Sequence, residues 1–221
     1  ESARIDHAHH AGNAYRALDE TIAMSRAVEA ALAATSAEDT LIVVTADHAH
    51  TLSFAGYPAR GNPILGTVRG RLSEHGHAQD EMLDSLGLPY TTLSYANGSG
   101  YTGRSGSQPD GPKRFPHKPG GYAPATGRPD LRDVDTADPD YLQEALVPMT
   151  SETHGGEDVG IWARGPGSKA IAGTLEQNSI YHVIVQATPA LRQALCDAGN
   201  CNAEGVPVTL PRLEQFQKTT G

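Results

Sequence analysis

The stretch 40–50, TLIVVTADHAH, constrains this chain more than any other. Leu41, Ile42, Val43 and Val44 form a continuous apolar run, which reads as a strand buried on both faces. The run ends in Asp47-His48. A carboxylate and an imidazole at the C-terminal end of a buried strand stand where open α/β sheets place ligands and chemistry. Taken alone, the pair also reads as a helix cap beside a solvated loop histidine. Two further stretches carry matching chemistry, ESARIDHAHH at 1–10 and THGGEDV at 153–159, and the three together favour the ligand reading.

The 221 residues are enough for one domain with a sizeable core. A hydrophobic fraction of 38% with 24 Gly and 15 Pro predicts a globular, loop-rich chain. The net charge of −9 argues against a nucleic-acid-binding surface, which needs a basic face. The same balance suits metal sites, where cations neutralise clustered carboxylates. No apolar run is long enough for a transmembrane segment, and no signal peptide is visible. The sequence opens inside a motif at Glu1, so we expect it to be the C-terminal part of something longer. Cys196 and Cys201 flank a turn-favouring Gly199-Asn200. We read them as a local disulfide in an oxidising compartment, with a pair of free cytosolic thiols as the alternative.

A helix is expected from Asn13 to about Ala34, with Leu18, Ile22, Val28 and Leu32 near helical spacing. A polar stretch at 69–84 reads as a short helix, and YTTLSY at 90–95 as a strand. From Asn97 to about Pro139 the composition is Gly, Pro, Ser and Asp. A stretch that long without regular structure reads as an insertion over the active face, or as a solvated excursion without a role. DVGIWAR at 158–164 is a second strand, closed by a turn at Gly165-Pro166-Gly167-Ser168. A helix over 176–186 places Ile180, Val183, Ile184 and Ala187 on one face, and Pro189 begins a further helical segment to Leu195. His182 falls on the first of these helices and reads as structural.

The ligand chemistry gathers in three segments. Asp6 and His10 are four apart, which puts both on one face of a helix. Asp and neutral His are ordinary zinc ligands. Asp47 and His48 add a second pair, and His154 stands before two glycines that allow close backbone approach. Glu1 is a further carboxylate. This set exceeds one tetrahedral zinc and matches two or three metals sharing a cleft, the arrangement that suits phosphoryl transfer.

ESARIDHAHH, TLIVVTADHAH and ETHGGEDVGIWARGPGS, in this order, resemble the alkaline phosphatases. The likeness continues through FAGYPARGNPILG, YANGSGY and LEQNSIYHV and covers nearly the whole chain. The resemblance implies a three-layer α/β/α fold with helices on both sheet faces, here its C-terminal part. A variable, crown-like Gly/Pro-rich insertion would lie at about 98–148. It implies that Asp6, His10 and His154 hold one zinc, that Asp47 and His48 hold a second, and that Glu1 is a magnesium ligand. His7, His9 and His50 match recurring family histidines in supporting roles. The implied reaction is hydrolysis of phosphate monoesters to inorganic phosphate through a phosphoserine, in a periplasmic or secreted homodimer. The family's N-terminal half, with the serine nucleophile, a metal-bridging aspartate and a phosphate-clamping arginine, has no counterpart here. None of the Ser151, Ser168 or Ser179 contexts resembles the nucleophile motif, so no catalytic nucleophile is expected in this portion. Two rival readings follow: a zinc-binding but catalytically incomplete fragment, and a phosphodiesterase or sulfatase of related fold.

Overall fold

In the computed structural model, which describes residues 1–70 and 80–208, helix formation begins almost at once. Ala3–His10 forms α1, free of Gly and Pro, with Asp6 in its first turn. Gly12 ends it at φ +73°, a conformation a side chain resists, and its N–H donates to the His9 carbonyl at 2.7 Å. Asn13 then starts α2 (Ala14–Ala34): its Oδ1 accepts from the Arg16 N–H at 2.9 Å. The fully buried Asn13 also donates to the Pro139 carbonyl at 2.8 Å, and the Ala14 N–H donates to Gln143 Oε1 at 2.6 Å.

The helix therefore matches its expected span but not its expected face. Ala14 and Ala17 are the buried residues, whereas Ile22 is 51% exposed. Close packing belongs to the first turn, where small side chains and the Asn13 and Gln143 anchors bring backbone near backbone.

The chain divides into two units, 1–29 with 48–158 and 30–47 with 159–221, so the boundaries fall within α2 and between Asp47 and His48. In the second unit, β1 (Ile42–Thr45) pairs antiparallel with β9 (Ile161–Arg164), from Ile42 opposite Arg164 to Thr45 opposite Ile161. The expectation of burial on both faces is corrected here: every residue of β1 is only half-buried, so among the described residues no layer fully covers either face, and β9 is its one paired neighbour. Gly165, at φ +106°, turns the chain after β9. Two helices follow, α3 (Ser179–Ala187) and α4 (Pro189–Asp197). α3 begins three residues later than its sequence suggests, and Val185 is buried in place of the exposed Ile184. His182 is exposed on it. Cys196 and Cys201 form a disulfide with a Cα–Cα distance of 4.8 Å.

The first unit carries the remaining strands. β2 (Ala49–His50) pairs antiparallel with β8 (His154–Gly155). β3 (Leu52–Phe54) lies antiparallel to β4 (Leu93–Gly98), which lies parallel to β7 (Ala145–Pro148). The strand expected at 90–95 is thus shifted toward the C-terminus. β5 (Lys113–Arg114) and β6 (Tyr141–Leu142) form a short antiparallel ladder. Leu93, Tyr95, Leu131, Tyr141 and Leu142 make the core. The short helix expected at 69–84 falls mainly outside the described residues; at its flanks, Arg69 and Glu81 form an antiparallel bridge.

Few residues between Asn97 and Pro139 are in regular elements, as their composition predicts, yet the segment is anchored both internally and to the end of α1. Ser99 Oγ donates to the Ala11 carbonyl at 2.6 Å, Arg114 pairs with Asp138 at 2.8 Å, and Leu131 is buried. Helices and mixed strands together make an α/β fold. Among the described residues no helix is long and apolar enough to cross a membrane.

Candidate metal centre

α1 and the β2–β8 ladder bring the histidines together. One helical turn sets His10 Nε2 3.3 Å from Asp6 Oδ1. The ladder pairs His50 directly with His154 and Ala49 with Gly155. A Cβ on Gly155 would come within 2.8 Å of the His50 carbonyl oxygen, so the glycine after His154 is what lets these two backbones meet.

The centre of the cluster is Asp6 Oδ1. Three imidazole nitrogens converge on it: His50 Nε2 at 3.0 Å, His10 Nε2 at 3.3 Å and His154 Nε2 at 3.5 Å. His10 Nε2 and His154 Nε2 face each other at 3.2 Å. The His48 ring stacks on His154, with centroids 3.4 Å apart. Ligand atoms of Asp6, His48, His50 and His154 all lie within 4.8 Å of one another, as do those of His10, His50 and Glu152.

These distances test the donor set for a metal. Asp6 Oδ1 is buried yet makes no hydrogen bond in spite of its three nitrogen neighbours. Two ligands about 2.0–2.1 Å from a tetrahedral zinc stand about 3.3 Å apart. The His10–His154, Asp6–His10 and Asp6–His154 separations of 3.2, 3.3 and 3.5 Å form one face of such a tetrahedron. Asp6, His10 and His154 therefore fit zinc in both chemistry and spacing.

Of the residues expected at the site, Asp6, His10, His48 and His154 meet in one cluster. Glu1 and Asp47 are exposed and, among the described residues, join no group of three or more converging ligand atoms. Asp47 belongs to the other unit. His7 is exposed. His9 stacks on His50 at 4.6 Å, and its Nδ1 lies 2.8 Å from the Tyr95 hydroxyl. Burial, with His50 beside it, pushes the His9 imidazole down to about 4. Burial likewise pushes the Tyr95 phenol up, so both groups are neutral near pH 7.

Sequence reasoning assigned nothing to Glu152, which is almost completely buried behind the cluster. Its carboxylate receives His50 Nδ1 at 2.7 Å and the Thr51 N–H and O–H at 2.5 and 2.7 Å. The available signal was its place two residues before His154, beside glycines that let other chain approach.

A separate cavity of about 500 Å³ in the same unit is lined by Asp84, Arg128 and Glu144 among others. Arg128 is engaged by both carboxylates there, so its charge is already answered.

The chain is similar to known proteins over most of its length. The family model for alkaline phosphatase matches residues 1–190. An alkaline phosphatase of Gadus morhua is 39% identical over 187 residues, covering 85% of this chain and 33% of that protein. The tissue-nonspecific isozymes of alkaline phosphatase from Homo sapiens and Gallus gallus are 37% and 39% identical over 187 residues, covering 85% of this chain and 30% of each of those proteins. The chain thus spans about a third of the length of the curated relatives it matches.

Proposed function

The chain belongs to the alkaline phosphatase family, and we propose that it supplies most of the metal-binding side of an enzyme that hydrolyses phosphate monoesters. Asp6, His10 and His154 would hold one zinc, Asp47 and His48 a second, and Glu1 a magnesium. The observation that carries this reading is Asp6 Oδ1, buried without a hydrogen bond among three imidazole nitrogens at 3.0–3.5 Å. A cation is what such a crowd of lone pairs lacks.

When bound, a zinc pair supplies charge neutralisation of the phosphoryl oxygens and lowers the pKa of a coordinated hydroxyl or water. The residues here do the positioning. α1 holds Asp6 and His10 at a fixed one-turn spacing, and the β2–β8 ladder fixes His154 against His50. The half-buried His9, stacked on His50 and edge-on to the buried Tyr95, is neutral and adds no charge to the cluster. We assign the serine that would form the phosphoserine, a further metal carboxylate and a phosphate-clamping arginine to sequence outside these residues. Residues 1–221 alone would then bind metal without family-level turnover. The same reading makes the chain part of a three-layer α/β/α domain, with a crown-like insertion at about 98–148, in a periplasmic or secreted homodimer.

The test is zinc content and hydrolysis of p-nitrophenyl phosphate by the purified 221-residue chain. We expect bound zinc, and only trace hydrolysis. His154→Ala should weaken zinc binding by more than about 100-fold, beyond the 10–100-fold typical of losing a group behind the ligands. Failure of the unaltered chain to bind zinc, or undiminished binding by the variant, would overturn the assignment.

A further inference from the structure

We infer that Glu152 is the positioning residue of the zinc cluster, orienting His50 through its carboxylate and His10 through its backbone; the inference rests on the zinc reading above. The Glu152 N–H donates to the His10 carbonyl at 3.0 Å, and the Glu152 carbonyl lies 2.6 Å from His10 Nδ1. A carbonyl can only accept, so Nδ1 of His10 carries a hydrogen and, in the neutral ring, Nε2 carries the lone pair. That Nε2 is the atom facing Asp6 Oδ1 and His154 Nε2.

The carboxylate does the corresponding work on His50. Oε2 takes His50 Nδ1 at 2.7 Å, and Oε1 is itself clamped by the Thr51 N–H and O–H. The side chain has no exposed surface, so water cannot substitute for these donors. Room for it comes from Gly98, at φ +135°, where a Cβ would stand 3.1 Å from Glu152 Cβ. His50, given a supporting role above, is thereby held in one orientation, with its Nε2 3.0 Å from the ligand atom Asp6 Oδ1. One buried residue therefore sets the orientation of two rings on different elements, α1 and β2, and points both Nε2 atoms at Asp6.

The experiment measures zinc affinity of the 221-residue chain by chelator competition, for Glu152→Gln, His50→Ala and the double variant. Long-range ¹H–¹⁵N correlation spectra of the metal-free proteins report the position of each histidine hydrogen. Glu152→Gln should weaken zinc by about 10–100-fold. It should leave the hydrogen of His10 on Nδ1, because the carbonyl is unchanged. If the carboxylate acts through His50, the double variant will bind zinc as His50→Ala does, with no additional loss. Should Glu152→Gln fail to fold, Thr51→Val removes one clamp on Oε1 and should lower affinity several-fold, but only when His50 is present. Wild-type affinity in Glu152→Gln, or a full additive loss on top of His50→Ala, would overturn the inference. If His154→Ala loses zinc and Glu152→Gln does not, only this inference fails; if neither loses zinc, the metal reading fails with it.

Discussion

Two polar centres in the same unit invite comparison, the buried Lys113 ammonium and the buried Oδ1 of the half-exposed Asp6 carboxylate. Lys113 has no exposed surface, and its Nζ donates to the carbonyls of Thr102, Pro109 and Gly111 at 3.1, 2.7 and 2.8 Å. Three donors meet three acceptors, and the segment supplies every partner itself. Asp6 Oδ1 is buried as well, but its neighbours are three imidazole nitrogens and none of them completes a hydrogen bond. One centre is finished by the protein, whereas the other has acceptors in excess. Buried polar groups in folded proteins are nearly always paired, so the unfinished one is where a ligand belongs. On the zinc reading proposed above, a structural charge and a functional charge differ in whether their hydrogen bonds close.

The largest effect should come from breaking the finished centre. Lys113→Met keeps the aliphatic stem but leaves the Pro109 and Gly111 carbonyls without a donor and the Thr102 carbonyl with only the Gly111 N–H, at 2.8 Å. Each such loss of a buried partner costs about 1–3 kcal/mol, and we expect a total of about 3–5 kcal/mol in urea or thermal unfolding. Zinc affinity should be unchanged, because Lys113 touches none of the cluster residues. A stability loss below about 1 kcal/mol would mean that water can enter the cage, and the comparison would fail.

Breaking the unfinished centre should do the reverse. In metal-free protein near pH 8, Asp6→Asn should cost no stability, and a small gain is expected. The amide can donate to an imidazole lone pair where the carboxylate oxygen cannot. What it should abolish is stabilisation by metal: zinc at a hundred times its Kd adds about 2.7 kcal/mol to a protein that binds it only when folded. Thermal midpoints with and without zinc decide this. A loss of apo stability in Asp6→Asn comparable to that of Lys113→Met would show that Asp6 is a structural residue.

The two centres also differ in how far the sequence reveals them. The Asp6–His10 spacing, a helical turn, is a local property, and α1 forms where that spacing needs it. His154 was legible for a similar reason, since the glycine beside it allows the β2–β8 approach. Glu152 was not legible, because its function lies in contacts with His10 and His50 that are more than a hundred positions away in sequence. Lys113 stands in a Gly- and Pro-rich segment that reads as an irregular excursion. Nothing local announces that three carbonyls will close on it. The exposed stripe of α2 and the half-buried β1 mark the same boundary. Periodicity predicts which element forms, and burial depends on what packs against it.

The smallest expected effect concerns the pH response of Lys113. Burial pushes its ammonium below the ordinary lysine value of 10.5, and the Asp110 carboxylate opposes this shift. The folded protein therefore gives up this proton at a lower pH than the unfolded chain does. In the window between the lowered folded value and 10.5, the unfolded chain binds more protons, so the Lys113 contribution to the unfolding free energy rises with pH. Below that window both states are protonated and the contribution is flat; above it both are neutral and it is flat again. Lys113→Met removes the titration. The difference in thermal midpoint between wild type and Lys113→Met should therefore widen as pH climbs through the alkaline range, on top of the large constant offset from the lost cage. Asp110→Asn sharpens the test. Without the opposing carboxylate the folded ammonium shifts lower still, and the window should open at a lower pH. A difference that is constant from about pH 8 to 11, or that narrows, would mean that the carbonyl cage holds the proton more tightly than water does.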